Sequence, residues 1–118
     1  MTPKRGERVA PPAVSGEYTL RFANTDAVKG WEELCRQAPT NTRAAYEALR
    51  SDPTPHPAHE RHHRLKFDLK WGKHDGKVLE QWQHEVTGGG RIWYLVDPDT
   101  HTVWLTYVGT GHPKATDR

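Results

Sequence analysis

Alternating hydrophobic and polar positions predict a first β-strand shortly after the start of the chain. Tyr18, Leu20 and Phe22 are separated by polar or small residues, and this period of two is typical of a strand with one buried face. The preceding segment, residues 1–16, holds three prolines and two glycines and shows no hydrophobic period. We therefore predict a flexible N-terminal tail over 1–16 and a folded domain over 17–118.

The next apolar positions follow the spacing of a helix. Asn24, Thr25 and Asp26 can cap a helix start, and Pro39 marks its end. A second capping cluster at 40–42 opens another helix, which residues 51–53 end. The apolar stripe of these two helices is expected to pack into the core, and it consists of Val28, Trp31, Leu34, Cys35, Ala38, Ala45, Tyr46, Ala48 and Leu49.

Strand patterns separated by short turns fill the second half. Residues 53–63 predict a loop, and strands are predicted over 65–69, 79–87, 91–96 and 102–108. The turns between these strands are predicted at 71–77, 88–90 and 97–100, and such short links join antiparallel neighbours. The expected fold class is α+β, a mainly antiparallel sheet of about five strands with an N-terminal helical hairpin on one face.

The composition narrows the class of protein. Only 34% of the 118 residues are hydrophobic, but five Trp and four Tyr supply large side chains for a core. No apolar run approaches the roughly 20 residues of a membrane span, and no signal peptide is recognisable at the N-terminus. A single cysteine, Cys35, excludes an internal disulfide and a multi-thiolate zinc site. We expect a cytoplasmic protein without membrane association.

One short segment matches a metal-protease motif. His59, Glu60 and His63 satisfy the pattern H-E-x-x-H, which binds zinc when both histidines lie on one helix. Prolines at 53, 55 and 57 and the strand-like residues after His63 leave little room for a helix here. A solvated polar loop is the favoured interpretation, and a small zinc hydrolase is the remote alternative.

A second group of candidate residues surrounds the triple glycine at 88–90. The turn leads Arg91 onto the predicted central strand, and the last strand leads to His112 and Lys114. These side chains could form a cationic site at the rim of the sheet. A surface ion pair for Arg91 and an exposed loop position for His112 remain open at this point.

These motifs resemble the RelE/ParE toxin superfamily of bacterial toxin–antitoxin systems. The resemblance runs from about Tyr18 to Thr116, in the order of elements as well as in motifs. The matching pieces are Arg64-Leu65-Lys66-Phe67-Asp68-Leu69, Trp82-Gln83-His84-Glu85-Val86, Gly90-Arg91-Ile92-Trp93-Tyr94 and Gly111-His112-Pro113-Lys114. Members of this superfamily are typically ribosome-dependent endoribonucleases that cut mRNA, whereas the ParE branch poisons DNA gyrase.

The resemblance implies a RelE-like domain and roles for particular residues. Arg91 matches the arginine that stabilises the phosphate, and His112 matches a late histidine that serves as general acid, as in YoeB toxins. His63 falls at the position of the general base, with Glu60 nearby. Lys66 is implied as a further catalytic residue.

Contacts with nucleic acid are implied for Arg64, His84 and Lys114. Such a nuclease needs no metal and no cofactor, because histidine can exchange protons near neutral pH. The implied partners are a cognate antitoxin and mRNA in the ribosomal A site. A net charge of +2 is modest for a protein that binds RNA. Because the superfamily includes the ParE branch, a non-catalytic gyrase inhibitor is the alternative to the nuclease.

Overall fold

The computed structural model describes residues 3–111, which form an α+β domain with two helices and an open six-stranded sheet. The elements in chain order are β1 (Thr19–Phe22), α1 (Thr25–Gln37), α2 (Pro39–Ser51), β2 (His62–Arg64), a 3-10 turn (Phe67–Lys70), β3 (Trp71–His74), β4 (Lys77–Glu85), β5 (Arg91–Asp97) and β6 (Thr102–Gly109). None of the helices within these residues is long and apolar enough to span a membrane.

The helical hairpin forms as predicted, but α2 already begins at Pro39, so the predicted capping cluster at 40–42 lies inside the helix and not before it. The side chain of Asn24 accepts a hydrogen bond from the Ala27 amide at 2.8 Å, which caps α1. Pro39 occupies the first position of α2, where its missing amide costs no helical hydrogen bond. The Thr42 hydroxyl donates to the Leu34 carbonyl, so the two helices are tied together at their junction.

The sheet is mixed, with the strand order β1-β6-β5-β4-β2 and with β3 also paired to β4. All neighbours are antiparallel except β1 and β6, which run parallel. The expected α+β class and helical hairpin are confirmed. The sheet has six strands where about five were expected. The additional strand arises because His62–Arg64 and Trp71–His74 are two separate strands, which pair with successive parts of β4.

The predicted strand over 65–69 is wrong. Residues 62–64 form the strand instead, and the chain turns through the 3-10 segment Phe67–Lys70 before β3 begins. Phe67 has a φ of +57°, which interrupts an extended backbone. The alternation of Leu65, Phe67 and Leu69 therefore resembles a strand only in its pattern. The prediction of a turn over 71–77 is also too long, since only Asp75 and Gly76 lie between β3 and β4.

Part of the segment predicted as a flexible tail lies against the sheet. The Val9 amide donates to the Leu20 carbonyl at 2.7 Å, and Arg8 forms an antiparallel bridge with Arg21. Val9 is only 3% exposed and belongs to the core. The Tyr46 hydroxyl donates to the Pro11 carbonyl, so this segment is joined to α2 as well.

The two faces of the sheet have different surroundings. The core lies between the helices and one face, which we call the helix-covered face; alternate residues of the central strands point into it, namely Trp82, Ile92, Tyr94, Val96, Val103, Leu105 and Val108. The opposite side, the helix-free face, carries the other set: Gln81, Gln83, Glu85, Arg91, Trp93, Leu95 and Trp104. β5 is buried along its whole length, as predicted for a central strand.

Candidate functional site

A row of side chains crosses the helix-free face from one edge to β6. His63 pairs with Gln83, Gln83 with Trp93, and Trp93 with Tyr107. The Trp93 indole donates to the Gln83 amide oxygen at 2.7 Å, and the rings of Trp93 and Tyr107 lie 6.2 Å apart, edge to face. Trp93 is 7% exposed, so it forms a fixed floor between the two ends of the row.

His63 lies at one end of this row with a defined hydrogen bond. Its Nδ1 is 2.9 Å from the Arg64 carbonyl oxygen. Because a carbonyl only accepts, Nδ1 carries the proton, and Nε2 keeps a lone pair in the neutral ring. A neutral histidine in this tautomer can accept a proton from a substrate hydroxyl.

At the other end of the row, Tyr107 contacts the chain just after the end of β6. The Tyr107 hydroxyl donates to the Gly111 carbonyl at 2.7 Å. A Cβ at Gly109 would lie 2.4 Å from the Tyr107 hydroxyl oxygen, so any other residue there would displace the tyrosine ring. His112 and Lys114, two of the predicted site residues, lie outside the described residues. The described chain thus ends on the helix-free face at Gly111, one residue before His112.

Arg91 is adjacent to the row and is extensively bonded. Its guanidinium pairs with the Glu85 carboxylate at 2.6 Å and donates to the carbonyls of Thr87, Gly88 and Gly90 at 3.1–3.3 Å. The Arg91 side chain is 6% exposed. The ion pair that was an open alternative is therefore present, and it is buried rather than on the surface. Phosphate contact by Arg91 would require its guanidinium to leave these partners.

The remaining predicted residues lie away from this row. Lys66 is exposed, just before the 3-10 turn. Arg64 and His84 point to the helix-covered side, since Arg64 pairs with Trp82 and His84 with Ile92. The structure thus brings His63 and Arg91 to one face and leaves Arg64 and His84 on the other. In a strand, neighbouring residues point to opposite faces. Assigning His63 and Arg64 to their faces from the sequence therefore requires knowing that β2 covers residues 62–64.

His84 belongs to a buried histidine cluster on the helix-covered face. Its ring lies 4.5 Å from the ring of His62, and its Nδ1 has no hydrogen-bond partner among the described residues. Burial, with the neighbouring charge of His59 and Arg61, lowers the pKa of His84 to about 4. A group with this pKa is neutral at pH 7 and is poorly suited to bind phosphate.

His62 in the same cluster is fixed by a tyrosine. The Tyr94 hydroxyl donates to the Pro53 carbonyl at 2.6 Å, and so the His62 Nε2–H donates to the Tyr94 oxygen at 2.5 Å. Burial, followed by the charges of the neighbouring histidines, lowers the pKa of His62 to about 3. This arrangement closes the loop over 53–61 onto the sheet.

The zinc motif does not adopt the geometry that a zinc protease needs. His59 and His62 form an isolated antiparallel bridge, and His63 lies within β2, so the segment is a tight turn and not a helix. His62 and His63 point to opposite faces of the sheet. Among residues 3–111, no three His, Cys, Asp or Glu side chains are grouped in a way that could hold a metal ion.

A groove of about 500 Å³ also opens on the helix-free face, and the sequence did not indicate it. The rings of Trp104 and His74 lie 4.0 Å apart along its wall, tilted by 30°, and Arg21 lies beside them. Lys77 pairs with Asp97 at 2.9 Å at its end. Burial raises the pKa of the Asp97 carboxyl, but the hydrogen bond and charge of Lys77 outweigh this effect and lower it. The groove depends on the parallel pairing of β1 with β6, which brings Arg21 beside Trp104. The sequence did not indicate this pairing.

Comparison of the chain with protein-family models, curated proteins and solved structures gives no match. The geometry of the helix-free face and the resemblance in the motifs are therefore the basis for any functional assignment.

Proposed function

We propose that this chain is the toxin of a toxin–antitoxin pair and that it cleaves mRNA on the helix-free face of its sheet. The observation that carries the proposal is the row from His63 to Tyr107, which ends at Gly111 immediately before His112. Three strand spacings separate the two ends of the row, roughly 14 Å between backbones. We propose that a ribose and its 3′-phosphate bind along this row, between His63 and the end of the described chain at Gly111.

His63 is the general base in this proposal. Its Nδ1–H is held by the Arg64 carbonyl, so Nε2 accepts the proton of the ribose 2′-hydroxyl. The 2′-oxygen then attacks the adjacent phosphorus, and the bond from phosphorus to the 5′-oxygen breaks. His112 donates a proton to the departing 5′-oxygen. The products are a 2′,3′-cyclic phosphate and a 5′-hydroxyl, and neither a metal nor a cofactor takes part.

Arg91 has two roles in this proposal, and Glu85 is its partner in the first. In the described conformation Arg91 positions the turn over 87–90 through its three carbonyl contacts. Exchange of Glu85 for a substrate phosphate would convert Arg91 into the ligand of the crowded phosphorus that the resemblance implies. The Glu85–Arg91 pair lies two positions along the strands from the Gln83–Trp93 pair and on the same face, so both groups can reach the same substrate.

The ribosome and an antitoxin complete the proposal. A net charge of +2 gives weak long-range attraction to RNA, so an enzyme of this kind depends on the ribosome to present its mRNA. A cognate antitoxin would keep the protein inactive by covering the helix-free face.

Induction of the chain in a bacterial host without antitoxin tests the function. We expect growth arrest with the wild type and relief with His63→Ala or His112→Ala, since loss of a general acid or base slows such reactions by about 10²- to 10⁴-fold. His56→Ala is the matched control, because His56 is exposed and does not point to the helix-free face. Circular dichroism verifies that each variant folds.

Full toxicity of the folded double variant His63→Ala/His112→Ala would contradict the proposed site. Supercoiling assays examine the alternative in parallel. Inhibition of gyrase by the purified protein, together with intact RNA in the growth-arrested cells that express it, would favour the ParE-like function and overturn the nuclease proposal.

A further inference from the structure

Residues 64–77 expose aromatic and cationic side chains together, away from the row that runs from His63 to Tyr107. Phe67 and Trp71 are 84% and 50% exposed, and they are two of the four large hydrophobic side chains that stand out from the surface of residues 3–111. Lys66, Lys70 and Lys73 are exposed beside them. Large aromatic side chains usually lie in the core, so their exposure within one short segment indicates an interaction surface.

The backbone at Phe67 holds its ring away from the core. Its φ of +57° lies in the left-handed region, which bulky side chains rarely adopt. Leu65 on one side is 6% exposed, and Leu69 on the other is partly buried. The sequence thus places an aromatic ring at the solvated apex of the turn, in a strained conformation of the kind found at binding sites.

Trp71 is oriented by a neighbouring arginine. The Arg64 guanidinium lies 4.4 Å from the Trp71 ring centroid and donates to the Lys70 carbonyl at 3.0 Å. Glu80 pairs with the same guanidinium at 3.7 Å. These contacts fix one side of the indole and leave half of its surface open.

The same segment concentrates the positive charge of the protein. Residues 64–77 contain five Lys and Arg against two Asp, a net charge of +3, while the whole chain carries +2. The rest of the molecule is therefore slightly acidic. Exposed aromatic rings set among cations match the chemistry of single-stranded nucleic acid, whose bases stack on the rings while its phosphates meet the cations.

We propose that residues 64–77 form a binding surface for single-stranded RNA. Phe67 and Trp71 stack with unpaired bases, and Lys66, Lys70 and Lys73 contact the adjoining phosphates. The inference rests on the proposed function only in that RNA is the ligand, because binding here requires no cleavage. An acidic protein is the other ligand that these cations could attract. Its carboxylates would pair with the lysines, but it would offer no flat base to stack on the exposed rings of Phe67 and Trp71.

Fluorescence anisotropy with a labelled 12-nucleotide RNA tests this surface. Every ribose of the RNA carries a 2′-O-methyl group, which removes the nucleophile and prevents cleavage. We expect the Phe67→Ala/Trp71→Ala variant to bind at least about tenfold more weakly than the wild type, as is typical when base stacking is removed. Val14→Ala is the matched control for an exposed apolar side chain, since Val14 is 67% exposed elsewhere on the surface.

The salt dependence of binding tests the cations separately. Lys66→Ala/Lys70→Ala should lower the slope of log K against log salt by about 0.7 for each lysine that neutralises a phosphate in the wild type. Lys29→Ala, an exposed lysine on α1, should leave the slope unchanged. Equal slopes for all three proteins would contradict the phosphate contacts.

The inference would be overturned by wild-type affinity of the aromatic double variant, by equally tight binding of a duplex RNA, or by equally tight binding of a polyglutamate peptide. Absence of wild-type binding to the methylated RNA would overturn it even if the protein proved to be a nuclease. Normal binding by a protein that cleaves no RNA would instead contradict the cleavage proposal and leave this surface supported.

Discussion

Individual histidines of this chain have opposite environments although they are neighbours in sequence. His62 points into the helix-covered face and bonds to Tyr94, whereas His63 points to the helix-free face and bonds to a backbone carbonyl. The sequence could indicate that a histidine-rich segment precedes a strand. It could not tell which histidine would be buried, because that depends on where β2 starts and on its register with β4.

The buried histidines predict a loss of stability in acid. Because the pKa values of His62 and His84 are about 3 and 4 in the folded protein and near 6.5 in an unfolded chain, the unfolded state binds more protons between these limits. The free energy of unfolding should therefore decrease as pH falls from about 7 towards 4, by about 1 kcal/mol per pH unit for each histidine. Urea unfolding at a series of pH values measures this slope.

His84→Leu should make that dependence shallower. The substitution removes one titrating group and the unpartnered Nδ1, so stability at pH 7 should change little. Val14→Ala, at an exposed position, should keep the wild-type slope, because it removes no ionisable group. An unchanged slope in His84→Leu would show that the fold does not shield His84 from protonation.

At the scale of elements, local patterns predicted the helices and the central strands but missed two features. The cap at Asn24, the break between the two helices at Pro39 and the buried run of β5 are visible in the sequence, since each depends on neighbouring residues. The parallel pairing of β1 with β6 joins residues about 80 positions apart, so no local pattern reveals it. The 3-10 turn at Phe67 was missed because its alternation imitates a strand.

The contact between α1 and β6 predicts a strongly destabilising substitution. A Cβ on Gly30 would lie 1.6 Å from the Val108 carbonyl oxygen, so α1 would have to move away from the sheet to make room for it. Gly30→Ala should lower the free energy of unfolding by about 3 kcal/mol or more, although alanine favours helix formation. Gly88→Ala is the control, because nothing lies within 4 Å of its Cβ position. Equal stability of the two variants in urea would contradict this packing.

At the scale of the whole molecule, the two proposed activities occupy different surfaces. The row from His63 to Tyr107 lies on the helix-free face, whereas Trp71 and Lys73 lie at the edge formed by β3, on its other side. A single RNA strand could meet the edge first and then cross to the row. The sequence indicated the overall fold class and the position of Arg91, but the buried ion pair with Glu85 emerged only from the turn at 87–90.

The most direct test of the central claim is to map the ends of mRNA in cells that express the chain. Primer extension and end-specific ligation should find new breaks within translated regions that carry 2′,3′-cyclic phosphate and 5′-hydroxyl ends, and His63→Ala and His112→Ala should abolish them. Intact mRNA in growth-arrested cells that express the wild type, or breaks that persist in both variants, would contradict RNA cleavage on the helix-free face.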